Sequence, residues 1–185
     1  YKNKKYRKYQ KQNIFDISKK LLNFKKEFHS YINKEFDICN DYIRKYTVSA
    51  IIPSYNHKSF LSQRIESILN QTYPFIEIII IDDNSTDGSQ EIIKNYSEQY
   101  PNKIKCFLNN ENSGSIFSQW KKGIEVANGG LIWICESDDY CENDFIDKIV
   151  PHFYDDSVSL AFGRIQYCDV NGVPQSGLDA YRESA

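Results

Sequence analysis

The stretch IEIIIIDDNSTDGS, residues 76–89, places two carboxylates directly after an almost continuous apolar run. Such a run, rich in β-branched residues, is typical of a strand buried on both faces of a parallel sheet. The turn-forming residues 84–89 then end the strand. The stretch therefore predicts a central parallel strand whose carboxyl end carries Asp82 and Asp83.

Short apolar runs and amphipathic periods alternate on both sides of this stretch. Strands are predicted at 47–53, 76–82, 104–108 and 131–135. Helices are predicted at about 60–71, 92–100 and 116–127. This alternation predicts an α/β fold, a Rossmann-like doubly wound and mostly parallel sheet with helices on both faces. A short helix limited by Pro151 and two later strands, at 158–163 and 164–170, are expected to follow.

Charge divides the chain into two parts. Residues 1–46 carry 13 Lys/Arg against 5 Asp/Glu, a net charge of +8, whereas residues 47–185 carry 10 against 20, a net charge of -10. We expect 1–46 to be a basic helical linker or appendage and 47–185 to be one globular domain. A basic amphipathic helix that lies on an anionic membrane surface is the alternative for 1–46. With no apolar run of spanning length and no apolar signal segment, a cytoplasmic location is expected.

Polar residues gather where the predicted strands end. They are 54–56, 82–84, 109–114 and 136–139 after the first, second, third and fourth strand. Ligands of open parallel sheets bind at this edge, and the carboxylates there suit a hard cation, Mn²⁺ or Mg²⁺, that carries a phosphorylated ligand. The alternative is that Asp138 and Asp139 only cap the helix that follows. The five cysteines include no CxxC pair and are interpreted as structural thiols.

Two segments carry a resemblance to a known family. VSAIIPSYNHKSFLSQRIESILNQTYPFIEIIIIDDNSTDGSQEII, followed by NENSGSIFSQWKKGIEVANGGLIWICESDDYCENDF, resembles the nucleotide-sugar-binding half of family 2 glycosyltransferases, which have the GT-A fold. The resemblance covers about residues 47–170. It implies transfer of a sugar from a nucleotide-diphosphate sugar donor to a glycan or lipid-linked acceptor, with inversion, in cell-surface polysaccharide synthesis. No nucleic-acid partner is expected.

The resemblance also implies roles for individual residues. Pro53 and Tyr55 would line the base pocket, and Asp83 would hydrogen-bond the base. Asp139 would hold the metal, and Asp138 would share the metal site and contact the ribose.

Two positions depart from the family pattern, and the catalytic base is not identified. Glu136 stands where the family often has a smaller residue and receives no role. Lys121 or Lys122 stands where the family often has Arg, and Lys121 is the candidate phosphate contact. The general base is expected beyond Ala185, since the resemblance covers only the donor half and the absence of Met suggests a piece of a longer chain.

Two other functions are compatible with parts of the pattern. The chain could bind a nucleotide sugar without transferring it. It could also be a phosphorelay receiver domain, whose acid pair also follows a strand. That pair ends the first strand of a receiver, however, and here a complete strand and helix precede Asp82 and Asp83.

Overall fold

The computed structural model of the chain describes residues 23, 26–28, 30–34, 41, 43–74, 76–169 and 172–175. The chain divides into two compact units, Tyr1–Lys45 and Tyr46–Ala185. In the first unit every described residue is helical, and Phe28 and Ile32 are exposed. Most of residues 1–46 lie outside the described residues, so the role of this segment as a linker or membrane-binding helix stays a prediction.

The second unit is built on a sheet of four parallel strands. The strands are β1 (Val48–Ser54), β2 (Ile76–Asp82), β3 (Ile104–Leu108) and β4 (Leu131–Ile134). Their order across the sheet is β3-β2-β1-β4, and every pairing is parallel. The four predicted strands and the predicted parallel sheet are therefore confirmed.

Helices cover both faces of the sheet. They are α1 (Lys58–Leu69), α2 (Ser89–Gln99), α3 (Ile116–Val126) and the short α4 (Phe145–Ile149), which a 3₁₀ helix (Val150–Tyr154) continues. Because side chains alternate along a strand, Ile52 of β1 packs in the core formed with α1 and α2. The neighbouring Ile51 packs on the opposite face, against residues from the end of α3. This two-sided arrangement is the predicted doubly wound fold.

The chain after the 3₁₀ helix differs from the prediction. The strands expected at 158–163 and 164–170 are wrong over the described residues, where the only β contact is an isolated antiparallel bridge between Cys168 and Pro174. Leu160 and Phe162 are exposed, so over the described residues this segment does not bury the apolar side of a strand. Among the described residues, no helix has the length and apolar character needed to cross a membrane.

Glu77 links neighbouring strands at the amino-terminal edge of the sheet, opposite the edge at which the strands end. Its carboxylate accepts hydrogen bonds from Ser49 Oγ (2.5 Å) and Lys105 Nζ (3.0 Å) on the neighbouring strands. It also accepts from Asn128 Nδ2 at 3.0 Å and Gly129 N at 3.2 Å, just before β4. Burial opposes ionisation, but these hydrogen bonds outweigh it and lower the pKa of Glu77 from 4.5 to about 2. One ionised side chain of β2 thus links β1, β3 and the turn that leads into β4.

We predict that Glu77→Gln lowers the free energy of unfolding by about 2–3 kcal/mol at pH 7, because the folded state holds the charged carboxylate more tightly than the unfolded state does. A lowered pKa stabilises the fold fully above the ordinary value of 4.5 and loses that effect as the pH falls toward 2. Urea unfolding at pH 7 and pH 3 should therefore show a difference from wild type that shrinks in acid. The exposed Glu98→Gln is the matched control, and a difference independent of pH would contradict this account.

Candidate functional site

The loops that follow the four strands begin side by side at one edge of the sheet. Asp83 N donates to Ser54 O, and Asn109 N donates to Asp82 O, each at 2.8 Å, so the backbone ladder continues one residue past the strands. We call this edge the rim. The predicted gathering of polar strand ends at one place is present in the structure.

Asp83 lies at the rim inside a shell of donors. Its carboxylate accepts from Asn109 Nδ2 (2.8 Å), from Ser113 N (3.0 Å) and from Ser113 Oγ (2.9 Å). Burial of Asp83 acts against ionisation, but these hydrogen bonds and the charge of Lys122 together lower the pKa of its carboxyl group. Asp83 is therefore an ionised hydrogen-bond acceptor at neutral pH.

Two residues of α3 support this shell, and the sequence analysis assigned no role to one of them. Gln119 is buried; its Oε1 accepts from Asn109 Nδ2 at 2.9 Å and its Nε2 donates to Ser113 Oγ at 2.7 Å. Lys122 Nζ donates to Asn109 Oδ1 at 2.7 Å and lies 5.6 Å from the centre of the Phe107 ring. Helix α3 thus orients the loop that closes over Asp83.

Lys121 and Lys122 point to different surroundings. Lys121 is exposed and pairs with Glu125 at 3.9 Å along the helix, whereas Lys122 reaches the Asp83 shell. Adjacent helical residues point about 100° apart, so only one of the two can face the rim. The phosphate role of Lys121 stays a prediction, and Lys122 is the lysine that the fold brings to the site.

Tyr55 stands at the end of β1 with about half of its surface exposed. Pro53 is buried within β1, and the neighbouring Ser54 Oγ is buried without a hydrogen-bond partner among the described residues. Asn56 has a positive φ of 54°, and its N–H donates to Ser85 Oγ at 2.9 Å. This link between the first two loops presents the Tyr55 ring at the rim.

Asp82 and Asp83 have different roles despite being adjacent. Asp82 is fully buried and accepts from Ser85 N (2.8 Å), Ser85 Oγ (2.5 Å) and Gln90 Nε2 (2.8 Å). These bonds order the turn that leads into α2. Asp82 therefore orders this turn, whereas the carboxylate of Asp83, 4% exposed, is held by the loop after β3.

The acidic loop, residues 135–143, follows β4 and carries Glu136, Asp138 and Asp139. Its backbone is held partly by Ser137, which is buried and whose Oγ lies 2.5 Å from His57 Nδ1 in the loop after β1. Partial burial and the neighbouring carboxylates raise the pKa of Glu136, and partial burial and the Asp138 charge raise that of Asp139. Burial and repulsion between carboxylates thus disfavour negative charge in this loop, whereas hydrogen bonds and Lys122 favour it at Asp83.

One positive residue does lie at the acidic loop, and the sequence analysis gave it no role. Arg64 of α1 is 4% exposed, and its guanidinium carbon is 5.2 Å from the centre of the Trp133 ring of β4. Its charge partly opposes the raised pKa of Glu136 and Asp139. An Arg in an amphipathic helix is usually exposed, so only its buried position reveals this role.

The acidic loop fits a cation that takes few protein ligands. No group of three or more His, Cys, Asp or Glu residues in the described part of the chain is arranged to hold a metal ion. Asp138 and Asp139 are exposed, adjacent and incompletely neutralised. Mg²⁺ and similar hard cations often bind through one or two carboxylates together with phosphate oxygens, and this donor set matches that chemistry.

A family model described as glycosyl transferase family 2 matches residues 49–183, which include every rim residue described above. The chain belongs to this family. Family membership confirms the resemblance that the sequence motifs indicated and excludes the receiver-domain interpretation.

Relatives of the chain are glycosyltransferases by name. A Haemophilus influenzae protein described as an uncharacterized glycosyltransferase is 37% identical over 125 residues, covering 68% of this chain and 49% of the relative. The poly(ribitol-phosphate) beta-glucosyltransferase of Bacillus spizizenii is 30% identical, covering 70% of this chain and 20% of that protein. The chain thus spans about half, or less, of the length of these family 2 relatives.

Solved glycosyltransferase structures share the fold. The crystal structure of S. aureus TarS 1-349 in complex with UDP-GlcNAc is 27% identical and superposes with a TM-score of 0.52. The match covers 60% of this chain and 31% of the TarS chain. The GT-A type of α/β fold is therefore confirmed for this family 2 chain.

We predict that Asp83→Asn lowers the free energy of unfolding at pH 7 by about 1–2 kcal/mol, because an amide can accept hydrogen bonds only through its single oxygen. Since the pKa of Asp83 is lowered in the folded state, its contribution is present above the ordinary pKa and is lost as the pH falls below it. Chemical denaturation at neutral and acidic pH measures both effects. Glu111→Gln, an exposed change in the loop after β3, should leave the stability unchanged, and equal losses in both variants would contradict the role of the donor shell.

Proposed function

We propose that this chain supplies the donor-binding part of a glycosyltransferase. The reaction transfers a sugar from a nucleotide-diphosphate sugar to a hydroxyl of a glycan or lipid-linked acceptor, with inversion at the sugar carbon. The names of relatives that act on wall polymers, such as the poly(ribitol-phosphate) enzyme, support cell-surface polysaccharide synthesis.

The main support for this proposal is the order in which the Asp83 shell and the acidic loop lie along the rim. The Asp83 shell follows β2 and β3, Tyr55 follows β1, and the acidic loop follows β4. Neighbouring strands are about 4.8 Å apart, so the two ends lie about 10 Å apart with Tyr55 between them. A base at Asp83, a ribose beside Tyr55 and a diphosphate at the acidic loop follow this order.

Asp83 favours particular bases. An ionised carboxylate offers about four acceptor positions. Three protein donors already contact it, Asn109 Nδ2, Ser113 N and Ser113 Oγ, and Ser113 N reaches both oxygens at 3.0 Å. A base would share this acceptor with Ser113 N. That acceptor suits a base with an N–H on its recognition edge, as uracil and guanine have. The UDP-GlcNAc complex of TarS agrees with a uridine donor.

Tyr55, Pro53 and a lysine complete the proposed donor contacts. The exposed Tyr55 ring offers a face for the base or ribose. Pro53, which is buried within β1, would form the bottom of the proposed base pocket. A phosphate contact from Lys121 requires its exposed side chain to leave Glu125, whereas Lys122 acts through Asn109 on the Asp83 shell.

Asp139 would hold a divalent cation, Mn²⁺ or Mg²⁺, with Asp138 beside it and toward the ribose. When bound, such a cation supplies positive charge to the diphosphate leaving group. The protein's part is to keep the two carboxylates in place at the rim, through the hydrogen bond between Ser137 and His57 and the buried charge of Arg64.

Donor binding without transfer is the second candidate for the chain by itself. The observation that favours it is that the chain spans 49% of the Haemophilus influenzae relative and 20% of the Bacillus spizizenii relative. Parallel assays of UDP binding and of sugar transfer distinguish the two candidates.

We predict that Asp139→Ala weakens Mn²⁺-dependent UDP binding at least about tenfold, because it removes the carboxylate proposed to hold the cation. Isothermal titration calorimetry of UDP, with Mn²⁺ and with EDTA, measures the effect. In EDTA the wild type and the variant should bind UDP equally weakly.

The matched control is Glu142→Gln, which removes one negative charge from an exposed position of the same loop. It should bind UDP as the wild type does. Equal affinity of wild type and Asp139→Ala in Mn²⁺ would remove Asp139 from the proposed metal site.

A further inference from the structure

One side of α1 faces the acidic loop. Arg64, Ser67 and Gln71 follow one another at spacings of three and four residues, along the helix and just past its end. Ser67 Oγ lies 3.8 Å from Cys141 Sγ, and Gln71 Nε2 donates to Glu142 O at 2.7 Å. The second half of the acidic loop is therefore attached to this helix.

Arg64 occupies the part of this contact nearest the carboxylates. It stacks on Trp133, which precedes the acidic loop, and lies one helical turn before Ser67, which contacts the end of that loop. Its Nε is buried and has no hydrogen-bond partner among the described residues. The guanidinium is therefore buried against the strand from which the acidic loop begins.

The charged side chains of the acidic loop, Glu136, Asp138, Asp139 and Glu142, are all negative. Arg64 lies beside this loop, because it stacks on Trp133 just before the loop begins. An Arg side chain stays charged at every pH at which the protein is folded. Arg64 therefore provides a permanent buried positive charge beside a loop whose charged side chains are all acidic.

We propose that Arg64 is a positioning residue that holds the acidic loop in place and sets its affinity for a divalent cation, by neutralising part of the same carboxylate charge that the cation uses. This inference rests on the proposed metal-dependent donor site. It assigns a role to a helix residue outside the acidic motif.

Loss of the Arg64 charge should change the affinity for Mn²⁺ in the opposite direction from loss of a purely structural residue. A packing residue should weaken every property of the site when it is replaced. A competing positive charge should instead tighten Mn²⁺ binding, by about tenfold, when it is removed. Loss of stability without the cation and gain of affinity for the cation should therefore occur together.

The test compares Arg64→Met, which keeps the length and the contact with Trp133 but loses the charge, with Arg64→Lys, which keeps the charge. Calorimetric titration of Mn²⁺ into the 185-residue chain with saturating UDP gives the dissociation constant, and thermal unfolding in EDTA and in Mn²⁺ gives a second readout. We expect about tenfold tighter Mn²⁺ binding and a larger Mn²⁺-induced rise in melting temperature for Arg64→Met. Arg64→Lys should stay within about twofold of wild type. Lys94→Met, an exposed change of the same charge on α2, is the control.

Removal of a buried charge can prevent folding, so a second pair is measured in parallel. Glu136→Gln is compared with the double variant Arg64→Met and Glu136→Gln, in which one positive and one negative charge are lost together. The double variant should bind Mn²⁺ about tenfold more tightly than Glu136→Gln alone.

Unchanged or weaker Mn²⁺ binding on loss of the Arg64 charge, in either pair, overturns the inference. When wild type binds Mn²⁺ and Asp139→Ala does not, such unchanged or weaker binding by the Arg64 variants overturns the role of Arg64 and leaves the proposed metal site standing. If wild type binds no Mn²⁺, the proposed metal site and this inference fail together.

Discussion

The parallel pairing of the buried strand β1 with a neighbour on each side is the constraint on which the structure depends. Strand β1 pairs with β2 and with β4, and it is buried along its whole length. Its side chains alternate between two cores, with Ile51 on one face and Ile52 on the other. A shift of one residue would exchange these faces, so the apolar pattern holds Ser54 beside Asp82 in register. All four loops that carry polar residues then begin at the same edge.

The rim compensates its negative charge in two different ways. Asp83 is surrounded by hydrogen-bond donors from the loop after β3, supported by Gln119 and Lys122 of α3. Among the described residues the acidic loop has no comparable shell, and the pKa of Asp139 is raised by partial burial and by Asp138. One end of the rim is therefore rich in hydrogen-bond donors, and the other end suits a cation. In the proposed donor site, the base of a nucleotide-diphosphate sugar would lie at the first end and its diphosphate at the second.

Most of the fold could be predicted because the apolar residues that a regular strand or helix buries recur at a regular spacing in the sequence. The prediction of strands at 158–163 and 164–170 was wrong, because an alternating apolar pattern shows only that a segment is able to pair with a neighbouring strand. Whether a neighbouring strand is present is a tertiary fact, and no strand forms over the described residues 158–169. The same limit applies to Lys121 and Lys122, since their order in the sequence does not reveal which one faces the rim.

The sequence by itself determined the order of strands and helices, the family, and the two acidic strand ends, because each of these depends on residues close together along the chain. The tertiary structure alone decided which side chains surround those acids. Ser113 and Gln119 reach Asp83 from another strand end and another helix, and Arg64 reaches the acidic loop from α1. These contacts join residues that are distant in sequence. Their physical cause is the packing of helices on both faces of one sheet, which buries a cation and a donor shell beside carboxylates that would otherwise repel one another.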